Sequence, residues 1–407
     1  MPAAPIIDGI VDPDEWSAAT ATDTPFRQIQ PLHNELASLP TKVRIGQTDT
    51  ALYFAFEATD PEPDRIATAL TQRDSRLRED DSIAMIIDTF GDGRTAYLFG
   101  ANTIGTQVDG RIADNGRTRD LRWDAAWRTA SARTPTGWTM EIEIPFAILR
   151  YASTDTADWG INLIRAIPRN LELSMWAEPS EDVFRVSSIG GLTAVTPPAP
   201  QDMWQFIPYA LASIERGNGS DLEVGGDVRW RPSTRLGVDL TINPDFALVE
   251  ADVEEINLSR FELQVPEKRP FFLEGNELYS QRIRQFYSRR IGDITWGAKT
   301  NGKLGNSDFS AIVTQEDFVR DDGLSSTIAD YGVVRLQQSI GRGSNIGLLA
   351  ANRTLDGENA GSVGVDTSIF FTDTLGMTAQ YLGVHGPNSD GGAAWFVRPS
   401  WDTANSH

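Results

Sequence analysis

Residues 222–243 read LEVGGDVRWRPSTRLGVDLTIN, and their alternation decides the fold. Leu222, Val224, Gly226, Val228 and Trp230 take one side of an extended chain, and Glu223, Gly225, Asp227, Arg229 and Arg231 take the other. After an RPST turn the pattern resumes, with Leu236, Val238, Leu240 and Ile242 set against Gly237, Asp239, Thr241 and Asn243. A period of two is that of a strand. Strands of about 9–11 residues with this dyad are what a membrane barrel requires, apolar toward lipid and polar toward the lumen. A soluble antiparallel sheet with one wet face gives the same alternation, so strand number and length carry the choice.

Further strands are expected over 294–300, 309–314, 331–340, 346–353, 363–371, 375–384 and 393–401. Turn signals such as NGKLGNS, EDFVRDDG, GRGSN, LDGENAG and GPNSDGG separate them. Tyr331, Phe370, Phe371, Tyr381, Trp395 and Trp401 stand near strand ends, where barrels carry aromatic girdles. The last residues, WDTANSH, lack a closing aromatic strand. Residues 204–407 are therefore expected to hold part of an antiparallel, outer-membrane-type β-barrel.

Between these strands, residues 243–279 show neither helix nor strand period. An irregular stretch this long inside a β protein is functional or disordered, and its phenylalanines give it surface to bury. It reads as a plug, with Pro266, Glu267, Lys268, Arg269, Phe271 and Phe272 at its centre; the charges are expected to pair with the lumen wall and the rings to wedge against it. A second reading makes Glu250, Asp252, Glu267 and Glu274 the carboxylates of a surface enzyme that hydrolyses glycosidic bonds.

The first 195 residues show short apolar runs broken by Asp, Gly, Pro and Asn, the pattern of a two-sheet β-sandwich. In WTMEIEI, Trp138, Met140, Ile142 and Ile144 face one way and Thr139, Glu141 and Glu143 the other. Glu141 and Glu143 thereby share a face, as a paired acid and base do, although exposed strand faces often carry such pairs. The one helix expected is 66–78, and Trp16 is expected to plug one end of the sandwich. TAVTPPAPQ, at 193–201, stiffens into a linker, placed at 196–203 between the two domains.

Composition excludes several classes. With 36 basic and 57 acidic residues the net charge is −21, so nucleic acid is not an expected partner. The one dense basic run, RIRQFYSRR at 282–290, suits lipopolysaccharide phosphate or the acidic stretch before it. No cysteine is present, which excludes disulfides and thiolate chemistry, and three histidines give no cluster for catalysis or metal. Residues 1–5 lack the basic start and apolar core of a signal peptide, so localisation is read from the strands.

Four blocks carry a resemblance. IDGIVDPDEW (7–16), LYFAFEATDPEP (52–63), DDSIAMIIDTFGDGRTAYLFGANTIGTQVDG (80–110) and RWDAAWRTASARTPTGWTMEIEIPFAILRY (122–151) together resemble the family 9-like carbohydrate-binding domain. That resemblance implies a β-sandwich with sugar-binding and some calcium-binding members. INPDFALVEADVEEINLSRFELQVPEKRPFFLEG (242–275), followed by FYSRRIG (286–292), resembles the DUF5916 family, outer-membrane proteins in which such a domain precedes a barrel.

Sugar rings stack on aromatic planes while carboxylates and amides take their hydroxyls. Trp123 and Trp127, with Asp124 and Arg122 beside them, are the candidate platform; each tryptophan has a second reading as core, weightier for Trp127. Asp88, Asp92, Asn102 and Asp109 are candidate calcium ligands, set against turn carboxylates and a buried Asp88–Arg94 pair. A relative of this sandwich class binds haem through Met, His or Lys, but Met85 and Met140 read as core and His33 as loop. The expectation is an outer-membrane protein of a Gram-negative bacterium that binds oligo- or polysaccharide in polysaccharide utilisation. The hydrolase and a haem-binding electron-transfer sandwich remain as alternatives.

Overall fold

The strand read from WTMEIEI runs Gly137–Pro145 and sits between Ala51–Thr59 and Arg128–Thr134 in a five-stranded sheet, completed by Thr41–Gln47 and Thr20–Thr22. The computed structural model describes all residues except 23, 153–156, 178, 181, 200–202, 216–218, 245–266, 320–325, 342, 373, 388–390 and 402–407. Two units divide the chain, one built from Met1–Pro200 and one from Gln201–Ile340 with Asn345–Ser400.

In the first unit, register puts Met140 opposite Phe56, Ile142 opposite Phe54 and Ile144 opposite Leu52. These side chains meet Ile83, Met85, Ile87, Leu163 and Trp159 of a second, eight-stranded sheet centred on Ala157–Ile167 and Ser82–Asp88. The result is a β-sandwich. Its outer face over Ala51–Thr59 is covered as well: Tyr53 and Ala55 pack with Trp16, against which Met1, Ile7 and Val11 lie. Trp16 thus roofs the outside of a sheet rather than plugging an end of the sandwich. Its Nε1 donates to Glu141 (2.7 Å), which also accepts from the N–H of Gly9 (2.9 Å) and Asp8 (3.1 Å). Charge-assisted bonds of this kind are about twice as strong as neutral ones, so Glu141 clamps the N-terminal segment onto the sheet.

The helix expected at 66–78 does not form. The N–H groups of Ala67, Ala69 and Leu70 donate to the carboxylates of Asp81 and Asp80, and the Leu70 carbonyl accepts from Asn102 and Thr106. Tertiary hydrogen bonds outweigh a weak helix propensity, leaving only a short 3-10 turn at Leu77–Glu79. The proline-rich stretch also begins later than its sequence signal, because Gly190–Val195 pairs with Ala157–Ile167 and Val195 enters the core.

Among the described residues the second unit is one antiparallel sheet of ten strands in chain order, from Met203–Glu215 through Gly219–Ser233, Leu236–Ile242, Ile294–Leu304, Ser307–Val319, Ser326–Ile340, Ser344–Leu355, Glu358–Phe370 and Leu375–His385 to Gly392–Trp401. Every strand pairs with its sequence neighbours, and among the described residues the sheet does not close into a barrel. Several strands run to 13 or 15 residues, past the turn signals assigned to them. The first, MWQFIPYALASIE, shows no clean alternation because apolar residues occupy both its faces. Pro208 within it is tolerated because the strand lies at the sheet edge.

This sheet is inverted relative to a soluble one. Val313, Val334, Leu336, Ile346, Leu348, Val363 and Val365 are 40–51% exposed, whereas Ser310, Thr314, Arg335 and Asn345 on the opposite face are at most 1% exposed. The polar face is the buried one, and residues 267–292 lie against it.

Candidate functional site

On the sandwich, Leu98 and Phe99 belong to the strand Ala96–Asn102, which pairs with Gln107–Ala113. Residues 121–127 follow the short strand Thr118–Asp120, and two side chains from Gln107–Ala113 pin them. Asp109 accepts from the Ala125 N–H (2.7 Å), and Gln107 donates to the Trp127 carbonyl (3.2 Å). So held, Trp127 is buried against the edge of Phe99, with ring centroids 5.5 Å apart. It is a core residue. Trp123 is half-buried, resting on Tyr97 (5.0 Å) and Phe99 (5.9 Å), so its ring is supported from beneath and still reaches the surface.

A polar network runs through its chain neighbour Asp124. Arg73 bonds Asp109 (2.5 Å), the exposed Asp124 (2.7 Å) and the Gln107 Oε1 (2.5 Å). Arg122 instead folds back on Asp120 (2.7 Å), which separates it from the Asp124 network. Arg73 and Gln107 were absent from the sequence-based site. Arg73 is remote in sequence and lies in the stretch read as helix, so only the tertiary fold brings it to Trp123's neighbour Asp124. Asp109 is fully buried, and burial pushes its carboxyl up to about 6 against the pull of Arg73.

The remaining calcium candidates serve different partners. Asp88 accepts from the N–H of Phe90 and Gly93, and Asp92 from the N–H of Arg94 and Thr95. Asn102 bonds Asp80 (2.9 Å) and the Thr106 N–H (2.8 Å). Among the described residues no three His, Asp or Glu side chains are gathered to hold one metal ion. Glu143 pairs with Arg128 while Glu141 is taken up by Trp16, so the two carboxylates are separately engaged. Met85 and Met140 lie in the core and His33 is exposed.

Burial raises Asp88 to about 7, with the nearby Asp92 carboxylate adding to it. An acid whose folded pKa lies above its unfolded value contributes stability that is full below pH about 4 and is lost as pH rises through the folded value. The sandwich is expected to lose at least about 1 kcal/mol between pH 4 and 7.5 through this group, one pKa unit being worth 1.36 kcal/mol. Comparing thermal unfolding of Asp88→Asn with the parent across that range isolates the effect. The variant should show the flatter pH dependence; parallel curves exclude Asp88 as its source.

In the second unit Glu267 and Arg269, expected to face charges of the wall, pair with each other. Arg269 donates from Nε to Oε1 (2.9 Å) and from Nη2 to Oε2 (2.8 Å) of Glu267, and to the carbonyls of Ser288 and Ile291 (both 2.7 Å). The Ser288 hydroxyl completes the set on Glu267 (2.6 Å), and Phe272 lies under the guanidinium at 4.3 Å. The pairing has a local cause: side chains two residues apart on an extended chain lie on the same side and meet each other. Lys268 stands half-buried between them. Phe271 and Phe272 do wedge against the sheet, packing with Ile294, Ile312, Val333 and Leu349.

Further along, Lys299 donates to the carbonyls of Phe271 and Glu274 (the latter 2.9 Å), and Glu274 pairs with Arg231. Arg335 bonds Asp366 and the Leu278 carbonyl (2.9 Å), Tyr279 bonds Ser310 (2.7 Å), and Gln380 exchanges two hydrogen bonds with the Ile283 backbone. Of the alternative catalytic carboxylates, Glu267 and Glu274 are thus bound into ion pairs; Glu250 and Asp252, like Pro266, lie outside the described residues.

Residues 7–166 match the family model for carbohydrate family 9 binding domain-like proteins, and residues 203–320 match a domain of unknown function, DUF5916. A carbohydrate binding module of family 9 from Caldicellulosiruptor kristjanssonii, solved with cellotriose, is 19% identical, with 49% of this chain and 96% of that one covered and a TM-score of 0.34. A solved protein from Bacteroides uniformis is 14% identical over 46% of this chain and 92% of its own, with a TM-score of 0.35. An anion-selective porin from Comamonas acidovorans is 9% identical over 75% of this chain and 86% of its own, with a TM-score of 0.26. No curated protein matches the sequence.

Proposed function

We propose that this chain, in which a family 9-like carbohydrate-binding domain precedes a DUF5916 domain, binds saccharide with its sandwich while its ten-stranded sheet resides in an outer membrane. The observation that carries the binding role is Trp123, a supported and partly exposed ring next in the chain to Asp124, which Arg73 holds. A pyranose lies with its C–H face on the indole, and Arg73, Asp124 and Gln107 supply donors and acceptors for its hydroxyls. The inverted sheet supports the membrane role, since exposed valine, leucine and isoleucine opposite a buried polar face suit lipid on one side and a filled lumen on the other. Lipid is then the second partner. Glu267 and Glu274 hold structure together in this reading, so no hydrolysis is assigned to them.

A glycan array probed with the purified protein tests the binding role. Specific retention on a set of oligosaccharides is expected, and Trp123→Ala should weaken it roughly thirty-fold, the loss of about 2 kcal/mol that a stacking anchor commonly supplies. Absence of binding to every saccharide removes the proposal.

A further inference from the structure

The ten strands end alternately at two rims, and the rims differ. At one, the connections are 234–235, 305–306, 341–343 and 371–374, none longer than four residues. At the other they are 216–218, 243–293, 320–325, 356–357 and 386–391, which include the long segment carrying Glu267 and Arg269. The first strand begins at the short-turn rim: Met203 lies opposite Arg231, next to the Ser233–Leu236 connection.

That rim also carries a ladder of rings. Trp204 stacks on Trp230 across the strand pair, with centroids 5.1 Å apart and planes at 16°, and on Phe206 at 6.2 Å and 10°. Trp204 and Phe206 are more than half exposed. Aromatic rings on an otherwise apolar outer face suit the headgroup layer of a bilayer, where one side of the ring is dry and the other wet. Barrels of the outer membrane turn their short connections to the periplasm and their long ones outward.

Resting on the membrane reading above, we propose that the short-turn rim, with Trp204, Phe206 and Trp230, is seated in the headgroups of the periplasmic leaflet, and that the chain preceding Met203 works in the periplasm. The saccharide bound by the sandwich is then one that has already crossed the outer membrane, an oligosaccharide rather than an intact extracellular polymer.

The absence of cysteine makes this testable without background labelling. Single substitutions Asp64→Cys on the sandwich, Asn306→Cys on the short-turn rim and Glu358→Cys on the other rim, all at exposed positions, are introduced into the natural protein in Gram-negative cells. A maleimide carried on a polymer too large for porins is then added. Labelling of Glu358→Cys alone in intact cells, with the other two reacting only once the outer membrane is opened, is the expected result. Labelling of Asp64→Cys or Asn306→Cys in intact cells, or protection of Glu358→Cys in a membrane-bound protein, overturns the proposed orientation. Recovery of the protein in the soluble periplasmic fraction instead defeats the membrane reading itself, and the orientation with it.

Discussion

Glu267→Ala should destabilise the second unit by about 3–5 kcal/mol, the usual consequence of removing one partner from a buried ion pair. The variant removes the carboxylate seen to neutralise the buried Arg269 guanidinium, which keeps its bonds to the carbonyls of Ser288, Ile291 and Gly292 and its place over the Phe272 ring. It also frees the Ser288 hydroxyl and two backbone N–H groups, those of Lys268 and Arg269. Because the pair ties residues 267–269 to 288–292, its loss should release Phe271 and Phe272 from Ile312, Val333 and Leu349. Denaturant unfolding in detergent measures the change. A double variant, Glu267→Gln with Arg269→Met, should recover part of the loss, since removing both charges removes the desolvation cost of each. A loss below 1 kcal/mol for Glu267→Ala would mean that the pair does not hold the segment in place.

The second large effect concerns the outer face. Val334 is 44% exposed in the sixth strand of the sheet, directly opposite Ala311 and flanked on its face by Leu336. If water covered this face, Val334→Arg would change stability by no more than about 0.5 kcal/mol, as surface substitutions do. In a membrane the same change should cost about 2–4 kcal/mol, or roughly a hundredfold in the folding equilibrium at the middle of that range. Folding into lipid vesicles, compared with Gln338→Arg near the end of the same strand, separates the two. A strong penalty at 334 and a weak one at 338 is expected; equal, small penalties contradict a lipid-facing sheet.

How much of this was legible in the sequence varies with the kind of interaction. Alternation was readable wherever one face of a strand is apolar, as in Gly137–Pro145 and in Leu236–Ile242, because period two is imposed by the backbone itself. It failed at Met203–Glu215, where both faces carry apolar residues, and at 66–78, where Asp80 and Asp81 capture the backbone N–H groups that a helix needs.

The site divides in the same way. Trp123 and Asp124 were visible as an aromatic with a neighbouring carboxylate. Arg73 and Gln107 were not, since their approach depends on how Gln107–Ala113 and the loop before Leu77 pack in three dimensions. Trp127 had two readings from sequence, and its burial against Phe99 decides for the core. The expected lumen contacts of Glu267 and Arg269 gave way to a local pair, whereas the wedging of Phe271 and Phe272 was readable from their apolar character alone.

The central claim, that Trp123 is the surface on which saccharide rests, is tested most directly by the near-ultraviolet difference spectrum of the protein on addition of an oligosaccharide retained on the array. Stacking of a sugar ring on an indole changes the solvent around that ring, so a saturable tryptophan difference signal is predicted for the natural protein and its disappearance in Trp123→Ala, with the strand signal in the far ultraviolet unchanged. A signal of full size in the folded Trp123→Ala variant would contradict the account.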